Sequence, residues 1–178
     1  VNQQLLDNNY IHVPGFITPE RAAHLTAKFE NECFHILDPT DFVTSDGSVH
    51  NYLPFVRLLV EKISHVTELA GEELLPTYTY GRIYRSSNHN LPRHRDRPAC
   101  EVSLTLNLAK SDPWPICIQK PNGEEVCLEQ NPGDAMLYLG CIADHWRGPY
   151  TGSHHVQVFM HYVRSYGDNA WAFFDRQQ

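Results

Sequence analysis

The sequence predicts a mainly β protein with N-terminal helices, a double-stranded β-helix of the jelly-roll kind. Three observations carry this. Helical periodicity is confined to the first 75 or so residues. Short runs rich in Val, Ile, Thr and Tyr follow it, and turn residues separate those runs at regular spacing. Helices first and strands afterwards suggest an antiparallel barrel with a helical buttress.

The elements can be justified in order. Tyr10 to Val13 alternates and predicts a short strand. Thr18, Pro19 and Glu20 are start signals: a capping hydroxyl, a proline at the first helical position and an acid in the first turn. Ala22, Leu25, Phe29 and Cys33 recur at helical spacing and predict one buried face. The stretch "LDPTDFVTSDGSVHNYLP" reads as a loop. A second helix is predicted over residues 54–70, with Phe55, Leu58, Leu59, Ile63, Val66 and Leu69 as its apolar stripe and Gly71 as its stop. The strand runs are "LPTYTYGRIYRSS", "CEVSLTLNLA", "PICIQK", "EEVCLEQ", "DAMLYLG" and "HHVQVFMHYV". Asn122-Gly123 between the third and fourth is a hairpin signal. The tail "YGDNAWAFFDRQQ" is expected to cover the core with its aromatic side chains. There is no linker, so 1–178 reads as one domain, with the buttress over about 1–75 and the jelly roll over about 76–178.

Composition narrows the function. A chain of 178 residues with 42% hydrophobic and 20% charged residues is globular. At this length roughly 70% of the unfolded surface can be buried. The net charge of -7 argues against nucleic acid as a partner. No apolar run spans a membrane and no signal peptide is evident, so a cytoplasmic protein is expected. The five cysteines are odd in number and lack CxxC spacing, which reads as reduced thiols.

"LPRHRDRPAC" puts His94 and Asp96 two residues apart. On a strand both would face one way and share a metal. A lone HxD is weak evidence, because a surface histidine beside a capping aspartate gives the same letters. His145, just after "NPGDAMLYLG", supplies the third ligand. Two imidazoles and one carboxylate make the facial triad of non-haem Fe(II) oxygenases, with coordination positions left for other ligands.

The running order resembles a family. "YRSSNHNLPRHRD", "EVSLTLNLA", "PGDAMLY" and a histidine followed by "GPYTGSHHVQVFMHYV" are similar to the Fe(II)- and 2-oxoglutarate-dependent dioxygenases, in particular their prolyl 4-hydroxylase branch. The resemblance is firm over residues 76–163 and looser over "YIHVPGFITPERAAHL". It implies iron bound by His94, Asp96 and His145, with 2-oxoglutarate as cosubstrate and ascorbate as reductant. His154, His155 and His161 are rival third ligands that fall in the next strand.

One position departs from the pattern. The family's clamp for the distal carboxylate of 2-oxoglutarate is an Arg or Lys about ten residues after the last ligand; here His155 stands there. An imidazolium would be a weaker, pH-sensitive clamp. The alternative is another cation: Arg82, Arg85, Arg97 or Lys110. Tyr84 and Asn107 match positions that touch the cosubstrate, and Ser103, Thr105 and Asn107 would share one strand face as a polar inner wall. Arg95 should point away from the ligands, into solvent or an ion pair. Arg93 and Arg97 flank the metal loop. Arg97, Trp146 and Arg147 are candidates for the substrate mouth. Solvated charge and rim packing are the plainer readings of these residues.

The resemblance implies oxidation of 2-oxoglutarate to succinate and carbon dioxide, coupled to hydroxylation of a prolyl residue in a peptide or protein. Loops 38–53, 86–92 and 110–115 would select that substrate. Two alternatives stay open: hydroxylation of a free amino acid or other small molecule, and a non-catalytic metal-binding barrel.

Overall fold

Thr18 starts the first long helix as expected. In the computed structural model, which describes residues 1–33, 36–37, 45–86 and 89–175, its hydroxyl accepts the Arg21 N–H at 3.2 Å. Three elements open the chain: α1 (Gln3–Asn8), β1 (Tyr10–Val13) and α2 (Pro19–Cys33). The predicted face of α2 is buried. The sequence pattern misses α1, whose six residues bury only Leu5.

The second predicted helix is two. α3 (Leu53–Glu61) and α4 (Ile63–Ala70) meet at Lys62, whose φ −90° and ψ 0° lie at the edge of the right-handed helical region. The apolar stripe runs through this break, so periodicity alone reads as one helix. Gly71 ends α4 at φ +67°, a left-handed cap. The stretch expected as a loop contains β2 (Gly47–His50). Residues 38–44 of it lie outside the described residues.

The remaining strands are β3 (Leu74–Tyr84), β4 (Leu91–His94), β5 (Val102–Lys110), β6 (Ile116–Gln119), β7 (Glu125–Leu128), β8 (Ala135–Tyr138), β9 (His145–Arg147) and β10 (His155–Arg164). They form two antiparallel sheets, ordered β1-β8-β5-β10-β3-β2 and β4-β9-β6-β7. The larger sheet is buried on both faces. Val102, Leu104, Leu106 and Leu108 of β5, and Val156, Val158 and Met160 of β10, join Phe29, Phe55 and Leu58 of the helices in the main core. The alternate residues Ser103, Thr105, Asn107, His155, Gln157 and His161 are also buried, on the opposite face. That face meets the smaller sheet, where Met136 and Tyr138 of β8 pack on Ile116 and Ile118 of β6.

Gly81 lets the helices approach β3. A Cβ there would lie 2.7 Å from the Phe55 ring and 2.8 Å from that of Phe29.

Two expectations are corrected. Cys117 and Cys127 form a disulfide, so not all the thiols are reduced. They are direct partners across the β6–β7 hairpin, whose turn holds Gly123 at φ +86°. The tail does not cover the core with its aromatics. Its 3₁₀ turn (Ala170–Ala172) inserts only Ala172, against Tyr78, Cys100 and Phe159. Tyr166, Trp171, Phe173 and Phe174 remain exposed, because so short a turn presents one residue inward. Among the described residues no helix is long and apolar enough to cross a membrane.

Candidate metal centre

Strand pairing brings the predicted triad together. His94, the last residue of β4, lies directly opposite His145 on β9. Asp96 follows two residues later, its N–H donating to the Gly140 carbonyl at 2.9 Å. The Asp96 Oδ1 atom lies 3.5 Å from Nε2 of His94 and 3.5 Å from Nε2 of His145. One nitrogen from each ring and one carboxylate oxygen all fall within 4.8 Å of one another.

The outer partners aim these atoms. Nδ1 of His94 donates to the Pro92 carbonyl at 2.7 Å, and Nδ1 of His145 to the Ala143 carbonyl at 3.0 Å. Each bond orients its ring so that Nε2 faces inward, toward Asp96. The hydroxyl of Ser103 reaches Asp96 Oδ2 at 3.2 Å, leaving Oδ1 for the shared space. Burial resists ionisation of Asp96, but hydrogen bonds from His145 and His94 outweigh it and hold the carboxyl well below its usual range. Burial lowers His94, yet its bonds to Asp96 and Pro92 win and raise it. This donor set, two neutral-capable imidazoles and one carboxylate, fits a divalent transition metal.

The rival histidines separate. His161 lies on β10, its Nδ1 2.8 Å from the Ser103 hydroxyl. With Asp96 and Cys100 it forms a second compact donor group, which shares Asp96 with the first. His154 pairs with Glu30 at 2.8 Å.

Beyond the triad lies a closed polar cluster. His155 faces Tyr84 in register across β10 and β3, and Asn107 Nδ2 is 3.3 Å from His155 Nε2. Tyr84, Asn107 and His155 therefore do come together. Trp114 and Tyr150 close over them, with the Trp114 ring centroid 4.9 Å from that of His155. His155 Nε2 also contacts Gln157 Oε1 at 2.9 Å, while Gln157 Nε2 donates to Thr105 Oγ1 at 2.6 Å. Burial first, and the Arg147 charge next, push His155 well below the ordinary histidine range. This environment disfavours the imidazolium that the sequence suggests.

Arg147 differs most from its expected place. It follows His145 by two residues on the same strand face and is 4% exposed, inside rather than at a mouth. Its guanidinium donates to the Trp114 carbonyl and, at 3.0 Å, to Gln130 Oε1. Burial lowers it to about 10, which leaves it charged at neutral pH. Trp146 faces the other way, with Arg93 4.3 Å over its ring. Arg93 and Arg95 pair with Asp144, at 3.2 and 2.6 Å, and Arg97 pairs with Asp175 at 2.7 Å. Gln130, Gln157 and Trp114 carry no signal in the sequence analysis, although Gln157 shares the β10 face of His155.

Known structures share this architecture. The epimerase SnoN from nogalamycin biosynthesis, a non-heme alpha ketoglutarate dependent enzyme, is 13% identical with a TM-score of 0.76 over 97% of this chain and 84% of its own. HygX from Streptomyces hygroscopicus, solved with nickel and 2-oxoglutarate bound, is 12% identical with a TM-score of 0.71 over 93% and 88%. A Pseudomonas putida prolyl-4-hydroxylase is 17% identical with a TM-score of 0.66 over 90% and 95%. This chain has the fold of the 2-oxoglutarate-dependent oxygenases. No family model and no curated relative matches the sequence. SnoN has also been solved in complex with Fe3+, alpha ketoglutarate and nogalamycin RO.

Proposed function

We propose that the chain is an Fe(II)- and 2-oxoglutarate-dependent hydroxylase acting on prolyl residues of a peptide or protein. The two sheets are then the walls of a jelly-roll barrel. The observation that carries this reading is the convergence of His94 Nε2, Asp96 Oδ1 and His145 Nε2 on one point. The metal and cosubstrate would supply the oxidative decarboxylation that yields succinate and hydroxylates the substrate. The protein's part is orientation and exclusion of water. The carbonyls of Pro92 and Ala143 hold both imidazoles with Nε2 facing inward. Ser103 turns the Asp96 carboxylate so that one oxygen faces inward. Leu91, Ile118 and Ala143 on the smaller-sheet side pack with Tyr138 of the larger sheet as apolar surface.

The order of motifs and the likeness to a prolyl-4-hydroxylase support the prolyl substrate. The higher likeness to the epimerase favours a second reading, a small-molecule substrate. Of the loops expected to select substrate, residues 38–44, 87 and 88 lie outside the described residues. The test is succinate release with a panel of proline-containing peptides, free proline and other small molecules, read by mass spectrometry for the gain of one oxygen. Turnover of peptides above free proline supports the first reading; the reverse supports the second. No succinate with any of them would leave a non-catalytic metal-binding barrel.

A further inference from the structure

We propose that Arg147 on β9 is the cationic anchor for the distal carboxylate of 2-oxoglutarate, in place of the residue ten positions past the last metal ligand. The inference rests on the hydroxylase reading above and goes further by naming this chain's own anchor.

A buried charge needs a partner. Taking a guanidinium out of water is costly unless an anion meets it. Arg147 is buried, and the partners it contacts, the Trp114 carbonyl and Gln130 Oε1, are neutral acceptors. Among the described residues no carboxylate lies within ion-pair distance of it. Tyr84, Tyr138 and Glu129 are the titratable groups that act on it, and Glu129 is held by Lys110. The site therefore lacks one negative charge, which an anionic ligand would bring.

The rival cations are engaged. Arg85 pairs with Glu30 at 2.9 Å and Arg97 with Asp175 at 2.7 Å. Lys110 pairs with Glu129. Arg82 lies over the Tyr80 ring at 4.8 Å. His155 offers no free N–H when neutral. Gln157 Oε1 is an acceptor, because Nε2 of the same amide donates to Thr105, so His155 Nε2 carries the hydrogen. Its Nδ1 is left as a buried acceptor without a partner, and it cannot bind a carboxylate without taking up a proton. Arg147, Lys110 and His154 all oppose that proton.

Position also favours Arg147. His145 and Arg147 are alternate residues of one strand, so they face the same way about 6.6 Å apart along it. A short dicarboxylate held at the metal by one end would carry its other end toward Arg147. Arginine also gives two parallel donors to a carboxylate and stays charged across the working pH range.

The experiment measures 2-oxoglutarate affinity by calorimetry on the Mn(II)-loaded protein, without turnover. Arg147→Gln should weaken it about tenfold or more, the loss of a charge-assisted bond, with Mn(II) affinity unchanged. Arg147→Lys should fall between, and wild-type affinity should be flat from about pH 6 to 8.5, where arginine stays charged. His155→Gln, which removes no charge, should weaken affinity less than Arg147→Gln does. Unchanged affinity in Arg147→Gln would overturn the assignment. So would a wild-type affinity that falls as pH rises through the histidine range, a measurement that stands even if the Gln variant does not fold. If the loaded wild type binds no 2-oxoglutarate, the hydroxylase reading itself has failed.

Discussion

Gly140 presses against the carboxylate of Asp96. A Cβ at position 140 would lie 2.5 Å from Asp96 Oδ2 and 2.3 Å from the Cys100 carbonyl oxygen. The same glycine accepts the Asp96 N–H through its carbonyl. The side chain proposed to hold metal is thus held in place by the lack of one elsewhere. Gly140→Ala should displace Asp96, costing about 1–3 kcal/mol in stability as overpacking does. Metal affinity should fall at least about tenfold, as when an outer partner of a metal ligand is lost. Metal titration beside a thermal melt checks this, and affinity equal to wild type would show that the contact relaxes without moving the carboxylate.

The ligands themselves should behave differently. His94→Ala, Asp96→Ala and His145→Ala should each abolish metal binding and succinate release. His94 and Asp96 lie at the end of β4 and just beyond it, so their variants should keep the far-ultraviolet spectrum of the wild type. Full activity in any one of the three would show that the triad is wrongly assigned.

Acid should loosen the interior around His155. Its folded-state value lies well below the ordinary one, first through burial and then through Arg147, with Lys110 and His154 adding to the effect. The unfolded chain therefore binds this proton more readily than the folded one. The stabilisation is fully present above about pH 6.5 and is lost as pH falls from there toward the folded-state value, by up to about 1.4 kcal/mol per unit. His155→Gln should flatten the dependence of urea stability on pH between about 7 and 5. An identical slope in the variant would place the titrating group elsewhere.

The cysteines give a count that can be read directly. Denatured without reductant, the protein should show three thiols, Cys33, Cys100 and Cys141. Five should appear after reduction. Because Cys117 and Cys127 are ten residues apart, opening their loop should cost about 2–3 kcal/mol in the chain-entropy model. Unfolding of Cys117→Ser in denaturant measures it.

What could be read in the letters follows the range of the interaction. The α2 cap, the stripes of α2 to α4 and the two-faced alternation of β5 are local, and the sequence shows them. So does the polar wall of Ser103, Thr105 and Asn107. The opposition of His94 and His145 joins residues 51 apart through a strand pair, and no periodicity contains it; only the order of motifs points to it. β9 has three residues, too few for a period, so nothing local told an interior Arg147 from one at a rim. The disulfide did leave a trace: Cys117 and Cys127 are equally far from Asn122 in the hairpin turn. Cysteine counting by parity overlooks that symmetry.

The Cys117–Cys127 bond has a mechanical consequence for the centre two strands away. β7 is an outer edge of the smaller sheet, and edges are where a sheet begins to fray. Tied to β6, it cannot peel away alone. β6 in turn lies against β9, with Ile118 opposite His145. The edge of the same sheet without a covalent tie is β4, which ends in His94. Opening is therefore expected from the other side, with His94 and Asp96 moving before His145. A metal held there would leave in an ordered way, losing two of its three proposed ligands in the first step. Amide exchange should then be fast along residues 91–94 and slow along 116–118.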